Sequence, residues 1–526
     1  MTRRFLSIFP FFERGHENLK LGRLIANADF FKALLRSGSF DEYWLSGPAW
    51  TQVQHIPTAL NELGLSHLPP LKILPFAQLP KILQTTPFHA CHLGGWGYFM
   101  AGLHNLRQMY ACEPFPITAM IHSLDGKTIF DQAVRLNYAE CAPFDAIFCS
   151  SRAGQSAMQH LNEQAKAIHG RQFCGQLPHI PLGVDEDLLR LPTDPSDLRK
   201  KMRIEPHHSV VLVPGRISSS TKMDLLPLLR HWNQWTQQAP FDKTILVIAG
   251  GAESGDLQQL SRWIEELGLR DTVRVRANFP YELKASLYSM ADVVLSPSDN
   301  TQETFGLTLL EAKLFGKPVI ASDWNGYRDL IRDGIDGYLI PTYSAKPNWA
   351  SWWELFDPVL AQFYQSQMVG LDWGRLKTNL QNLLKEKTRA TALGQAGAEH
   401  CRQHYVWSQV IHQFTQQWQQ LKAQAAVSES KKAAKTYYPS YEQLFATYPT
   451  TWLGPTTRLA WAVDQPIPQP NPEWIIWLDE RCLKTLLQHA QPEFSLAEAA
   501  EWCQVGAEHL GPTLAWLIKA GCLKVC

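Results

Sequence analysis

The sequence predicts an α/β protein: two doubly wound parallel-sheet domains in series, then a small, mainly helical module. Three observations predict it. At 526 residues the chain is too long for one ordinary core. Short apolar runs alternate with stretches of helical periodicity over most of its length, the mark of βαβ units. Past about residue 430 that alternation stops, and charged and Pro-rich stretches take over.

Composition narrows the function classes. Hydrophobic residues make up 45% and charged residues 19%, a globular balance. The 49 basic and 49 acidic residues cancel, so no global field draws the chain to nucleic acid or to an anionic membrane. No run of about 18 apolar residues exists, so no transmembrane helix is expected. "MTRRFLSIFPFFERGHE" lacks a small-residue cleavage site, so no secretion signal is expected either. Ten scattered cysteines without a CxxC pair read as reduced, mostly buried thiols of a cytoplasmic protein.

Residues 1–195 form the first expected domain. "RRFLSIFPFF" reads as its first strand and "LGRLIANADFFKALLRSG" as the helix that follows, ending at Gly38. "PFHACHLGG", "ITAMIHSL" and "FDAIFCSS" read as further strands, with helices such as "YFMAGLHNLRQMYA" between them. "LPHIPLGVDEDLL" closes this half with a strand and a turn. Residues 205–390 form the second. "VVLVPGR", "TILVIAGG", "TVRVRANF" and "DVVLSPS" are its strands, with "KPVIASDWNG" and "GYLIPT" adding two short ones. A helix within 391–425 returns toward the first domain, and 426–472 reads as a linker. Residues 473–526 read as three short helices with a β-edge, an order similar to a winged helix-turn-helix. "FSLAEAAEWC" offers a capping box, Ser495 with Glu498. From Tyr437 onward there are five Lys or Arg and nine Asp or Glu. That balance does not suit a phosphate backbone, so no nucleic-acid partner is expected. A packing role or a protein partner fits this module better.

Ligands of doubly wound sheets bind beyond the carboxyl ends of the strands. There "TFGLTLLEAKLFG" has helical spacing and stops at Gly316. Its N-terminus offers unsatisfied N–H groups and a positive dipole end, and Gly306 permits close approach of a phosphate. Glu311 lies deeper, where a carboxylate can accept from vicinal hydroxyls. Glu303 precedes the helix. Alone, the two acids fit an ordinary helix-start acid and a surface residue better than a ligand site, since acids near helix starts are common. Gly215-Arg216 at a strand end, with Lys222 six residues after Arg216, adds two cations for a diphosphate. Sugar, diphosphate and ribose together would use all of these groups.

These elements resemble the family 4 glycosyltransferases, which have two Rossmann-like domains and the GT-B fold. "ETFGLTLLE" matches their E-x7-E element. "GKPVIASDWNGYRDLIRDGIDGYLIP" matches the segment after it. "PGRISSSTK" matches "GR…K" with one extra residue, and "HIPLGVD" matches "iPnGvD" with Leu182 in place of Asn. The likeness spans about residues 1–425. It implies a retaining, metal-independent hexosyltransferase using a UDP- or GDP-sugar as donor, with no permanently bound cofactor. Glu311 would hold the ribose and Glu303 the sugar. The backbone at Phe305, Gly306 and Leu307 would face sugar and diphosphate. Gly215, Arg216 and Lys222 would meet the leaving diphosphate. His122 would stand near the sugar. The acceptor side would include Gly94 and Gly95 of "HLGGWG". The glycine-rich loop usual after the first strand is missing; "FPFFERGHENLK" has Gly15 alone, and His16, Glu17 and Asn18 would serve there instead. The acceptor could be a glycan, a lipid carrier, a protein or a peptide, and the protein is expected in the cytoplasm, where a peripheral place at a membrane is also open to it. The competing expectation is a non-catalytic nucleotide-sugar sensor or scaffold whose C-terminal module binds a partner.

Overall fold

The computed structural model describes residues 2–8, 11, 22–47, 55–62, 65, 70–97, 99–124, 128–345, 358–428, 441–462, 478, 480–489 and 491–526. Strands β1 (Arg4–Ser7), β2 (Glu42–Gly47), β3 (Leu71–Pro75), β4 (Ala90–Leu93), β5 (Ile117–Met120) and β6 (Ala146–Phe148) form one sheet. Its order is β3-β2-β1-β4-β5-β6, and every pairing is parallel. A second parallel sheet comprises β7 (Ser209–Pro214), β8 (Thr244–Gly250), β9 (Val273–Ala277), β10 (Val293–Ser296), β11 (Val319–Ser322) and β12 (Tyr338–Ile340). Its order is β12-β11-β10-β7-β8-β9. Counted within each domain, both sheets run 3-2-1-4-5-6. Each therefore reverses direction once, between β1 and β4 and between β7 and β10, and opens a crevice there.

The inner strands are apolar because helices cover both faces. All seven residues of β8 are buried, as are the last five of β7. Strands β2 and β3 do not stand out in the sequence. "EYWLSG" and "LKILP" are short and end in Gly or Pro, which read as turn signals.

The chain crosses between the domains twice, side by side. Val184 N–H donates to the Tyr405 carbonyl at 2.7 Å, and Trp407 N–H donates to Val184 at 3.2 Å. Gly183 makes the crossing tight, since a Cβ there would lie 2.4 Å from the Trp407 ring. Residues 391–425 hold parts of two helices, a correction to the single returning helix expected. Lys387–His404 stays on the second domain, where Cys401 Sγ meets the Leu310 carbonyl. Trp407–Ala426 lies on the first, where Phe414 and Trp418 pack among Phe5, Phe30 and Phe148. Trp418 Nε1 also donates to Thr118 Oγ1 at 2.9 Å. The helix must break at Tyr405–Val406, because those residues pair with Val184 instead.

A short antiparallel pair, β13 (Thr342–Ser344) with β14 (Val369–Leu371), sits beyond the second sheet. The C-terminal region has a three-stranded antiparallel sheet, β16 (Glu493–Ser495), β15 (Arg458–Trp461), β17 (Leu523–Val525), in that order. Three helices pack on it: Glu480–Gln488, Leu496–Cys503 and Ala507–Lys519. The expected capping box is present, with Ser495 N–H donating to Glu498 at 2.6 Å and Glu498 N–H to Ser495 at 3.2 Å. The linker expected over 426–472 needs correction, because β15 within it is the central strand of this sheet. Its upstream position hid it: a lone strand between Pro-rich segments shows no pairing partner in sequence. Among the described residues no helix is long and apolar enough to cross a membrane.

Candidate active site

Segments at the strand ends of both domains converge on one cavity of about 300 Å³. The loop after β7 brings Gly215, Arg216 and Lys222. The loop after β10 brings Gln302 to Gly306 and leads into the helix Leu307–Leu314. From the first domain, the segment after β5 brings His122, and the start of the helix Gly22–Ser37 brings Arg23. The cavity thus lies where the β7/β10 crevice faces the first domain.

Glu303 is the most heavily engaged group. Its carboxylate pairs with Lys222 Nζ, accepts from Phe305 N–H at 3.3 Å and accepts from the Tyr327 hydroxyl at 3.2 Å. Burial opposes its ionisation. The Lys222 ammonium and these hydrogen bonds outweigh burial and hold it below the usual carboxylate range. The same pairing raises Lys222 against its own burial. Arg216 donates through Nη2 to Gln302 and, at 3.3 Å, to the Thr221 carbonyl.

Glu311 is buried and also paired. Oε1 meets Lys284 Nζ at 2.5 Å, and Oε2 accepts from the Tyr288 hydroxyl at 2.6 Å. Between the two acids the helix starts with no side-chain cap, at Gly306 with φ 115°. An L side chain rarely adopts that angle, and a Cβ there would lie 2.5 Å from the Tyr327 ring. Phe305, Gly306 and Leu307 line the cavity as their place in the sequence suggests.

His122 closes the opposite wall. Its Nε2 lies 2.9 Å from Asn27 Oδ1, and Asn27 Nδ2 donates to the Gly94 carbonyl at 3.2 Å. Burial, reinforced by Arg23, pushes its pKa down to about 3, so the imidazole is neutral. The Gly94 backbone thus engages both Asn27 and His122, yet neither Gly94 nor Gly95 lines the cavity. His16 lies outside the described residues. Among the described residues, no group of three His, Cys, Asp or Glu side chains is placed to hold a metal.

Lys284, Tyr288 and Tyr327 join the site without having been expected from sequence. Lys284 and Tyr288 stand at i and i+4 in "KASLYSM", on one helix face just before β10. That spacing beside the switch strand was a usable signal. Tyr327 had none, since its contact with Glu303 depends on how the short helix Tyr327–Leu330 packs.

Residues 195–348 match the family model described as "Glycosyl transferases group 1". This stretch, most of the second domain, carries the pattern of the group 1 glycosyl transferases. Two curated relatives agree with the family. The D-inositol 3-phosphate glycosyltransferase of Geodermatophilus obscurus is 34% identical over 165 residues, 31% of this chain and 36% of that protein. The enzyme of the same name from Corynebacterium aurimucosum is 28% identical over 239 residues, 44% and 48% of the two chains. The chain thus matches less than half the length of either. Solved structures extend the likeness to both domains. A glycosyltransferase of Rickettsia africae superposes with a TM-score of 0.54 at 14% identity, covering 80% of this chain and 98% of its own. Anabaena HepE in complex with UDP-glucose gives 0.52 at 17% identity, covering 79% and 99%. At such identities these two establish the architecture, which is the GT-B fold of group 1 glycosyl transferases.

Proposed function

We propose that this protein is a retaining, metal-independent glycosyltransferase that moves a hexosyl group from a nucleoside-diphosphate sugar to a hydroxyl acceptor. One observation carries the reading. A buried carboxylate, Glu311, and a half-buried one, Glu303, flank an uncapped helix start, and Arg216 and Lys222 reach the same cavity.

The roles follow from the environments. Glu311, held by Lys284 and Tyr288, keeps lone pairs for vicinal ribose hydroxyls. The leaving diphosphate meets Arg216, Lys222 and the N–H groups of the first helical turn, and such prepositioned donors are worth ~3 kcal/mol each in a water-poor site. Glu303 is held ionised, so it serves as an acceptor for sugar hydroxyls and a poor general acid. The paired acid and nucleophile of a retaining glycosidase do not suit it. Departure of the diphosphate on the face that receives the acceptor would let a phosphate oxygen take the acceptor proton, which preserves configuration. His122, neutral, can donate or accept one hydrogen bond to the sugar from the first domain.

A UDP-sugar is the first donor to test, because the Anabaena structure holds UDP-glucose. Purified protein is incubated with UDP- and GDP-sugars without acceptor, and release of the nucleoside diphosphate is followed. Slow hydrolysis of one donor, lost in Glu311→Ala, is expected. A folded protein that binds and hydrolyses none of them overturns the reading and leaves a scaffold.

A further inference from the structure

On the first domain, two thiols are in contact. Cys141 Sγ and Cys174 Sγ lie 2.7 Å apart, and the Cys174 N–H approaches Cys141 Sγ at 3.4 Å. Both are free cysteines. Cys141 follows the helix Thr128–Tyr138, and Cys174 follows the helix Arg152–His169. Cys174 is exposed and Cys141 is half-buried, so an oxidant in solvent can reach the pair. Neither residue lines the donor cavity.

We propose that Cys141 and Cys174 form an oxidisable dithiol that a small-molecule disulfide converts into an intramolecular disulfide. Geometry supplies the reason. Two thiols on separate loops, already in contact, need no large backbone movement to join. The chemistry balances in two exchanges. One cysteine, as thiolate, attacks a sulfur of the reagent RSSR; an S–S bond forms to the protein and one RSH leaves. The second cysteine then attacks the protein sulfur of that mixed disulfide, the Cys141–Cys174 bond forms, and a second RSH leaves. The protein loses two hydrogens and the reagent gains them. Donation from the Cys174 thiol, the largest influence on Cys141, outweighs its burial and lowers its pKa, which favours it as a nucleophile.

The bond would tie two loops beneath the crossing helix. Two residues past Cys174, Gln176 donates to the Pro143 carbonyl at 3.1 Å and to Gln424 of the helix Trp407–Ala426 at 2.9 Å. Oxidation would therefore staple the edge of the first sheet where that helix rests.

The full-length protein is treated with oxidised glutathione, remaining thiols are alkylated, and tryptic peptides are mapped by mass spectrometry. The expected result is a linked pair containing Cys141 and Cys174, released by dithiothreitol. In Cys141→Ser, no linked pair forms and Cys174 carries glutathione. Full alkylation of both cysteines, under conditions that modify exposed Cys112, overturns the proposal. So does a lasting glutathione adduct on Cys174 of the unaltered protein.

Discussion

The Thr304 hydroxyl donates to the backbone carbonyl of His122 at 2.6 Å, and this bond joins the two domains across the cavity. Thr304 is next to Glu303, and His122 ends the segment after β5. Groups proposed to hold the transferred sugar from opposite sides are thus tied by one hydrogen bond. Closure around a donor would then depend on a contact that belongs to neither domain's core.

Thr304→Val tests that dependence. It keeps the shape and removes the donor, at a cost of ~1 kcal/mol for one hydrogen bond. A several-fold loss in kcat/KM is expected with little change in Tm. Unaltered kinetics would show that closure does not use this contact.

Gly306→Ala should be harsher. The positive φ and the Tyr327 ring both exclude a Cβ, and strain of ~1–3 kcal/mol is expected at such a position. The helix start would shift, carrying Phe305 N–H away from Glu303. Loss of donor binding by calorimetry, alongside a lowered Tm, is the expected pair of results. Retained binding at full affinity would count against the helix start as the phosphate cradle.

Legibility in the sequence differs by level. The strands that line the crevices, β7 and β10, announce themselves as continuous apolar runs. The acids and cations around them stand in a recognisable spacing, so Glu303, Glu311, Arg216 and Lys222 can be picked out from the sequence alone. What the sequence does not carry is what each one touches. Lys222 and Arg216 look alike in sequence, but Lys222 pairs with the Glu303 carboxylate while Arg216 donates to Gln302 and the Thr221 carbonyl. The same limit hides β15, whose partners lie more than thirty residues downstream, and the helix break at Tyr405, which is caused by Val184. These are pairings between distant segments, and local periodicity carries no record of them.

Acid should destabilise the first domain early. His92 is buried and His122 half-buried; both are neutral, with pKa values pushed down to about 3 by burial, while His122 also acts on His92 and Arg23 on His122. An unfolded histidine takes up its proton near 6.5. Between those values the unfolded chain holds more protons than the folded one, so stability falls as pH falls and is fully present only above about 6.5. Glu303, whose pKa is lowered, adds its own loss only further down, below the carboxylate range. Tm measured from pH 8 to 4 should drop from about pH 6.5. His92→Phe, which matches its ring neighbours Phe148 and Phe414, should flatten that slope while costing ~1 kcal/mol at pH 8 for the lost bond to Thr118. An equal slope in the variant would assign the acid loss elsewhere.

Arg216→Ala and Lys222→Ala separate catalysis from folding. Both should lower turnover by roughly 10²–10³, the effect of removing one prepositioned donor. Their stabilities should diverge. Arg216 is half-buried, donates to Gln302 and the Thr221 carbonyl and acts on the Asp256 carboxylate across a more open site, so its loss should lower Tm less than that of Lys222. Lys222 pairs with Glu303 with little of either side chain exposed, and removing one partner of such a pair costs about 3–5 kcal/mol. Lys222→Ala should therefore unfold at a distinctly lower temperature, and the double variant Lys222→Ala with Glu303→Gln should recover part of that loss without recovering turnover. If the double variant regained turnover, Lys222 would act by holding Glu303 and would have no direct part at the diphosphate.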